Sequence, residues 1–231
     1  MSSLATPRRK RLTKAEQRAA TIEQILDTAE YLFSKRGFYG VTLKDVADGV
    51  GVHHSLLSYY FDDKEKLFDA VFSRRSIITS QRRMKALEEY DARVKDKPTV
   101  EGALRVFLDT DFDLYIEGGE GWRNALVLAG QVANTPGWGA EVMDQHFDPV
   151  VLRLIDILQK ALPDCPKEDL FWGYHFVTGA LMHSLARTGR IDKLSGGLCK
   201  SDDLPAVKQR MARFMAAGFH SICEERAQDR A

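Results

Sequence analysis

The sequence predicts an all-α chain, with an N-terminal three-helix helix-turn-helix domain followed by a larger α-helical domain. Three observations carry that prediction. Apolar residues recur at the i, i+3, i+4, i+7 spacing of a single helix face. No alternating apolar and polar stretch of any length suggests a strand. Breaks containing Gly or Pro separate the periodic segments.

Thr13 and Glu16 form a capping box that satisfies two N–H groups at a helix start. Ile22, Ile25, Leu26, Ala29, Leu32 and Phe33 then make one buried face. Lys35 and Arg36 suit the negative end of that helix's dipole, and Gly37 ends it. Thr42 is the expected N-cap of a short helix whose inward face is Leu43, Val46, Ala47 and Val50. Gly51 breaks it, and a second short helix runs from about His53 to Tyr60. Asp62 or Asp63 caps a longer helix carrying Leu67, Phe68, Val71 and Phe72. Beyond residue 76 the pattern stays helical, with breaks expected at 96–98, 118–121, 135–139, 163–166 and 195–197. Pro149 either kinks its helix or starts a new one.

An apolar fraction of 44% and a charged fraction of 29% are those of an ordinary globular protein. The net charge is zero but unevenly spread: residues 1–75 hold 13 Lys/Arg against 10 Asp/Glu. Arg8, Arg9, Lys10, Arg11, Lys14 and Arg18 face only Glu16. Such an arm is either a nucleic-acid contact or a solvated tail. Cys165, Cys199 and Cys223 form no CxxC pair and leave an odd count, which suits a reducing cytosol better than a disulfide scaffold. No signal peptide or apolar run of membrane-spanning length is visible, so a cytoplasmic protein with no membrane partner is expected.

The stretch "GVHHSLLSYYFDDKEKLF", residues 51–68, supplies the chemistry. Two helices joined by a short glycine turn, the second brief and rich in hydrogen-bonding side chains, make a helix-turn-helix over 42–61. Leu57 and Phe61, four residues apart, can anchor the second helix to the core. His54, Ser55, Ser58 and Tyr59 are then free for a DNA groove or phosphates. Lys64 can pair with a phosphate beside the next helix's first N–H groups. The competing readings of the two histidines are a metal site and plain surface residues. Neighbouring helical residues point about 100° apart, so the pair by itself chelates poorly.

The segment "ILDTAEYLFSKRGFYGVTLKDVADGVGVHHSLLSYYFDDKEKLFDAVF" resembles the DNA-binding domain of the tetracycline-repressor family of transcriptional regulators. Ala29, Leu32, Phe33, Gly37, Thr42, Val46, Ala47, Gly51, Val52, Leu57, Tyr60, Phe61, Lys64 and Leu67 carry the resemblance. It implies a homodimer on double-stranded operator DNA, each subunit placing its second short helix in a major groove. By position, Thr42 meets a phosphate, and Lys44 a base or phosphate. His53, His54 and Ser55 begin the reading helix, while Tyr59, Tyr60 and Lys64 hold the backbone. His53 stands where the family usually has Ser or Thr, Leu56 where it has a small polar residue, and Ser58 where it has Tyr. An imidazole nitrogen can replace the missing cap hydroxyl. Leu56 either touches a thymine methyl or packs inward. The implied organisation is an arm over 1–14, a DNA-binding domain over 15–75 and a ligand-binding and dimerisation domain over 76–231.

The C-terminal sequence suits that division. Residues 169–186 are apolar around much of a helix, with Gly173, Gly179 and Ala180 allowing close approach. Residues 206–223 place Val207, Met211, Phe214, Met215, Gly218 and Ile222 on one stripe. These two helices per subunit form either a four-helix dimer interface or intrachain core. A fainter resemblance to fatty-acid- and acyl-CoA-responsive members implies a small apolar effector. Phe107, Phe112, Trp122, Leu126, Met143, Phe147, Trp172 and Phe176 are the candidate pocket residues. His146, His175 and His183 read as core or surface histidines.

No nucleophile elbow, phosphate loop, dinucleotide fingerprint or HExxH zinc motif is present, so neither an enzyme nor a cofactor or metal site is expected. The leading expectation is a repressor released from a palindromic operator by its effector. The alternatives are a ligand-dependent activator and a non-specific architectural DNA protein, which the neutral charge disfavours.

Overall fold

The computed structural model describes residues 13–95 and 97–228. Among them are ten helices and no strand, so the all-α expectation holds. The basic residues Arg8, Arg9, Lys10 and Arg11, and the break residue Asp96, lie outside the described set. The chain divides into two compact units between Val71 and Phe72.

The first unit contains α1 (Lys14–Arg36), α2 (Leu43–Val50), α3 (His54–Phe61) and the start of α4 (Lys64–Val94). The Thr13–Glu16 capping box opens α1, and Gly37 closes it by donating its N–H to the Phe33 carbonyl at 2.8 Å. Ile25, Ala29 and Phe33 are fully buried, whereas Ile22 and Leu32 are half-buried. Phe33 meets Phe68 edge-on with ring centroids 5.1 Å apart, and Phe38 does the same at 5.3 Å. Leu57 is the fully buried residue of α3. Leu57→Ala is therefore expected to cost about 2–5 kcal/mol. Calorimetry should show the loss as a lowered melting transition of the first unit.

The division between units falls inside α4, which runs unbroken from Lys64 to Val94. The second unit adds α5 (Val100–Glu117), α6 (Gly119–Ala133), α7 (Trp138–Ala161), α8 (Lys167–Ala186), α9 (Arg190–Leu194) and α10 (Leu204–Gln228). Helix α5 packs on α6, α7 and α10, and α8 packs on α6, α7 and α10. Gly173 permits the α8–α10 approach, since a Cβ there would lie 2.3 Å from the Phe219 ring. Asp91 ties α4 to α7 by accepting from Arg153 at 2.7 Å and Lys160 at 2.8 Å. The Lys160 hydrogen bond, then Arg153, holds that carboxyl below its usual range.

Several expectations change. Cys165 and Cys223 form a disulfide across a sequence separation of 58 residues, leaving Cys199 as the free thiol. Cysteine spacing could not reveal it, because the pair forms only when α10 docks beside the turn before α8. The break expected at 118–121 narrows to a one-residue junction: α5 ends at Glu117 and α6 begins at Gly119, whose φ is 81°. Helix α7 continues across Pro149. The five-residue α9 was not anticipated.

Candidate functional site

The helix-turn-helix is built from local bonds. Thr42 caps α2 by accepting the Asp45 N–H at 3.2 Å, while Asp45 accepts the Thr42 N–H at 2.8 Å and its hydroxyl at 2.5 Å. Those bonds from Thr42, led by the side-chain one, hold the Asp45 carboxyl below its usual range. Thr42 thus spends its hydroxyl proton within the cap, while Lys44 beside it is exposed. Gly51 then takes the left-handed conformation, φ 79° and ψ 33°, that the turn into α3 requires.

The reading helix α3 opens on an imidazole instead of a hydroxyl. His53 Nδ1 accepts the Ser55 N–H at 3.3 Å and lies 2.8 Å from Ser55 Oγ. Accepting that N–H requires Nδ1 to be unprotonated. Below this cap Leu57 is fully buried while His53, His54, Ser55 and Tyr59 face solvent, Tyr59 at 73% exposure. Leu56, Ser58, Tyr60 and Phe61 are half-buried. The Arg18 guanidinium stands 5.4 Å over the Tyr60 ring, drawing one residue of the basic N-terminal cluster to α3.

Asp63 caps α4 by accepting the Lys66 N–H at 2.8 Å. Lys64 is half-buried. Its Nζ donates to the Phe38 carbonyl at 3.2 Å and sits 4.2 Å over the Phe38 ring. An ammonium has three donors, so this pins Lys64 without exhausting it. Next to it Tyr39 is 80% exposed, an aromatic that periodicity missed. Its only signal is an aromatic in the "GFYG" turn, outside the flanking helix stripes.

The candidate pocket residues divide into two groups. Phe107, Phe112, Leu126 and Phe147 are buried, and Trp122 and Met143 are half-buried. Trp122 faces Arg75 and Arg82, whose guanidiniums stand 4.9 and 6.0 Å from its ring. Trp172 and Phe176 are about half exposed and stack on each other with centroids 6.1 Å apart. The buried face of α8 is Gly173, Val177 and Leu181 instead. Between Phe107 and Phe147 sits Arg83, its guanidinium 4.2 and 5.7 Å from the two rings and bonded to Asp111. Sequence reading missed this pair. Its signal is a charge at an inward helical position, Asp111 following Phe107 and Leu108 by four and three residues.

An all-α chain whose first unit presents two short helices across a left-handed glycine falls in the helix-turn-helix class. Residues 25–71 match the family model described as bacterial regulatory proteins, tetR family. Residues 105–218 match the tetracyclin repressor-like C-terminal domain. The chain belongs to the tetR family of bacterial regulatory proteins. The biofilm operon negative transcriptional regulator IcaR of Staphylococcus aureus is 38% identical over 47 residues, 20% of this chain and 25% of that protein. The transcriptional repressor KstR2 of Rhodococcus jostii is 38% identical over 48 residues, 21% of this chain and 24% of that protein. The match thus spans about a quarter of each relative. The crystal structure of HlyIIR, a hemolysin II transcriptional regulator, shares the fold with a TM-score of 0.59 and 20% identity, over 84% of this chain and 97% of that one. No helix among the described residues is long and apolar enough to cross a membrane.

Proposed function

We propose that this chain is a homodimeric transcriptional repressor that reads a palindromic operator with α3 and is released by a small apolar effector. The solvent-facing row of α3, His54, Ser55 and Tyr59, held by buried Leu57 and the His53 cap, carries this reading. A short helix with one buried anchor and hydrogen-bonding groups outward is what a major groove accepts. Lys44, Lys64, Ser58, Tyr60 and the exposed Tyr39 are the proposed backbone contacts. Thr42 acts on a phosphate chiefly by holding the start of α2. The names of the relatives IcaR and KstR2, a negative regulator and a repressor, favour repression over activation.

The dimer is assigned to α8 and α10. Trp172 and Phe176 on α8 and Phe214 on α10 are 51%, 53% and 74% exposed, a large apolar display for one chain. A Cβ on Gly179 or Gly218 would meet open space, which leaves room for another helix. The effector of fatty-acid or acyl-CoA type is placed among Phe107, Phe112, Leu126 and Phe147, the buried part of the candidate pocket. A dimer then presents two α3 helices to half-sites about 34–36 Å apart, or a near multiple of that spacing.

Fluorescence anisotropy on the DNA upstream of the chain's own gene, against scrambled DNA at near-physiological salt, tests the reading. A preference of about 10³-fold or more is expected. Equal weak binding to both, repeated across genome-wide selected fragments, would sink it. On the selected site His54→Ala should cost about 1–3 kcal/mol and relax specificity at one base position. An equal loss on random DNA would make His54 a backbone contact instead.

A further inference from the structure

We infer that the cavity between the end of α8, the α9–α10 loop and the start of α10 binds a small amphipathic anion: a carboxylate, sulfonate or phosphate on a compact apolar body. The cavity measures about 400 Å³, within the range of small-molecule sites. None of the candidate pocket residues Phe107, Phe112, Leu126 or Phe147 lines it. It is therefore a separate site from the effector pocket proposed above.

Its walls define the ligand. Arg187 at the end of α8, Lys200 in the loop and Arg210 on α10 converge on it, against Asp203 as the carboxylate of the lining. Ile191, Leu198 and Val207 supply apolar wall. Leu198 is 91% and Ile191 50% exposed, so this chain leaves that surface uncovered. Arg187 also pairs with Asp202 at 3.9 Å, so Arg210 and Lys200, the latter also near Asp192, carry the preference for an anion, and the apolar wall selects a body that water solvates poorly.

The site is built by hydrogen bonds, with little help from buried apolar surface. Cys199 donates its N–H to Ser195 Oγ and Ser201 donates its N–H to Asp192 Oδ2, both at 2.9 Å. The Gly197 N–H donates to the Asp192 carbonyl at 2.8 Å. Gly196 and Gly197, at φ 60° and 87°, make the reversal possible. Arg187 occupies a left-handed position, φ 48° and ψ 53°, where Gly is the usual residue. Tyr115 Oη orients the guanidinium at 3.2 Å. Arg210 gives one of its five N–H donors to the Ala206 carbonyl at 2.8 Å, keeping the guanidinium folded toward its own helix.

Cys199 lines the same cavity and is the free thiol, so it reports on occupancy. The test measures its alkylation by iodoacetamide in the full chain as 8-anilinonaphthalene-1-sulfonate is added. Neutral N-phenyl-1-naphthylamine is the control. The sulfonate should slow alkylation saturably, and the neutral amine should not do so at equal concentration. Lys200→Gln with Arg210→Gln, both at exposed positions, should weaken the sulfonate's protection about tenfold or more without moving the melting temperature. Any of three results overturns the proposal: alkylation indifferent to the sulfonate, equal protection by the neutral amine, or full protection persisting in the double variant.

Discussion

Replacing Asp111 by Ala is expected to destabilise the second unit by about 3–5 kcal/mol. The Arg83 and Asp111 side chains are 7% and 1% exposed. Arg83 Nε and Asp111 Oδ1 find no hydrogen-bond partner. Removing the carboxylate leaves a guanidinium against Phe107 and Phe147 with no counter-charge. Burial already pulls that guanidinium's pKa below its ordinary value. The sign follows from proton linkage. A lowered folded-state value means that the unfolded chain holds the proton more tightly, so this group adds stability only as pH rises past that value. At neutral pH its burial penalty is fully present. Arg83→Met combined with Asp111→Leu removes both charges and should be neutral or stabilising by about 1–4 kcal/mol, opposite in sign to the single replacement. Urea titration of the three proteins decides the matter. A double variant as unstable as Asp111→Ala would mean that the pair's packing, more than its charge, holds α4 to α5.

Phe214→Asp should convert the proposed dimer to a folded monomer and, through it, abolish the proposed tight operator binding. Phe214 is 74% exposed in the single chain, so the substitution removes nothing from that chain's core. Aromatic anchors of an interface each contribute about 2–4 kcal/mol to association, and a carboxylate placed there adds a desolvation penalty. Sedimentation should show half the mass with an unchanged helical spectrum. Operator affinity should fall by two or more orders of magnitude, because one subunit then reads one half-site. A Phe214→Asp protein that still sediments as a dimer would move the interface off α10. Phe176→Asp, tested alongside, reports on α8 separately.

Most helix boundaries of the first unit were legible from residues a few positions apart. The Thr13–Glu16 capping box, the Gly37 stop, the Thr42 cap and the Gly51 break act over four residues or fewer, so their sequence is their geometry. The imidazole cap of His53 belongs with them, since Nδ1 meets the backbone two residues on. The all-α class followed from the same local periodicity. Tertiary packing settled which side of an apolar helix faces inward. Helix α8 is apolar on nearly every side, so its composition could not choose between Trp172 and Phe176 on one face and Gly173, Val177 and Leu181 on another. Contact with the Phe219 ring on α10 made that choice. The Cys165–Cys223 bond and the Arg83–Asp111 pair were hidden for a related reason. Each joins residues far apart in sequence, 58 positions for the cysteines and 28 for the ion pair. Local rules reach about one helical turn, and only the docking of whole helices brings such partners within bonding distance.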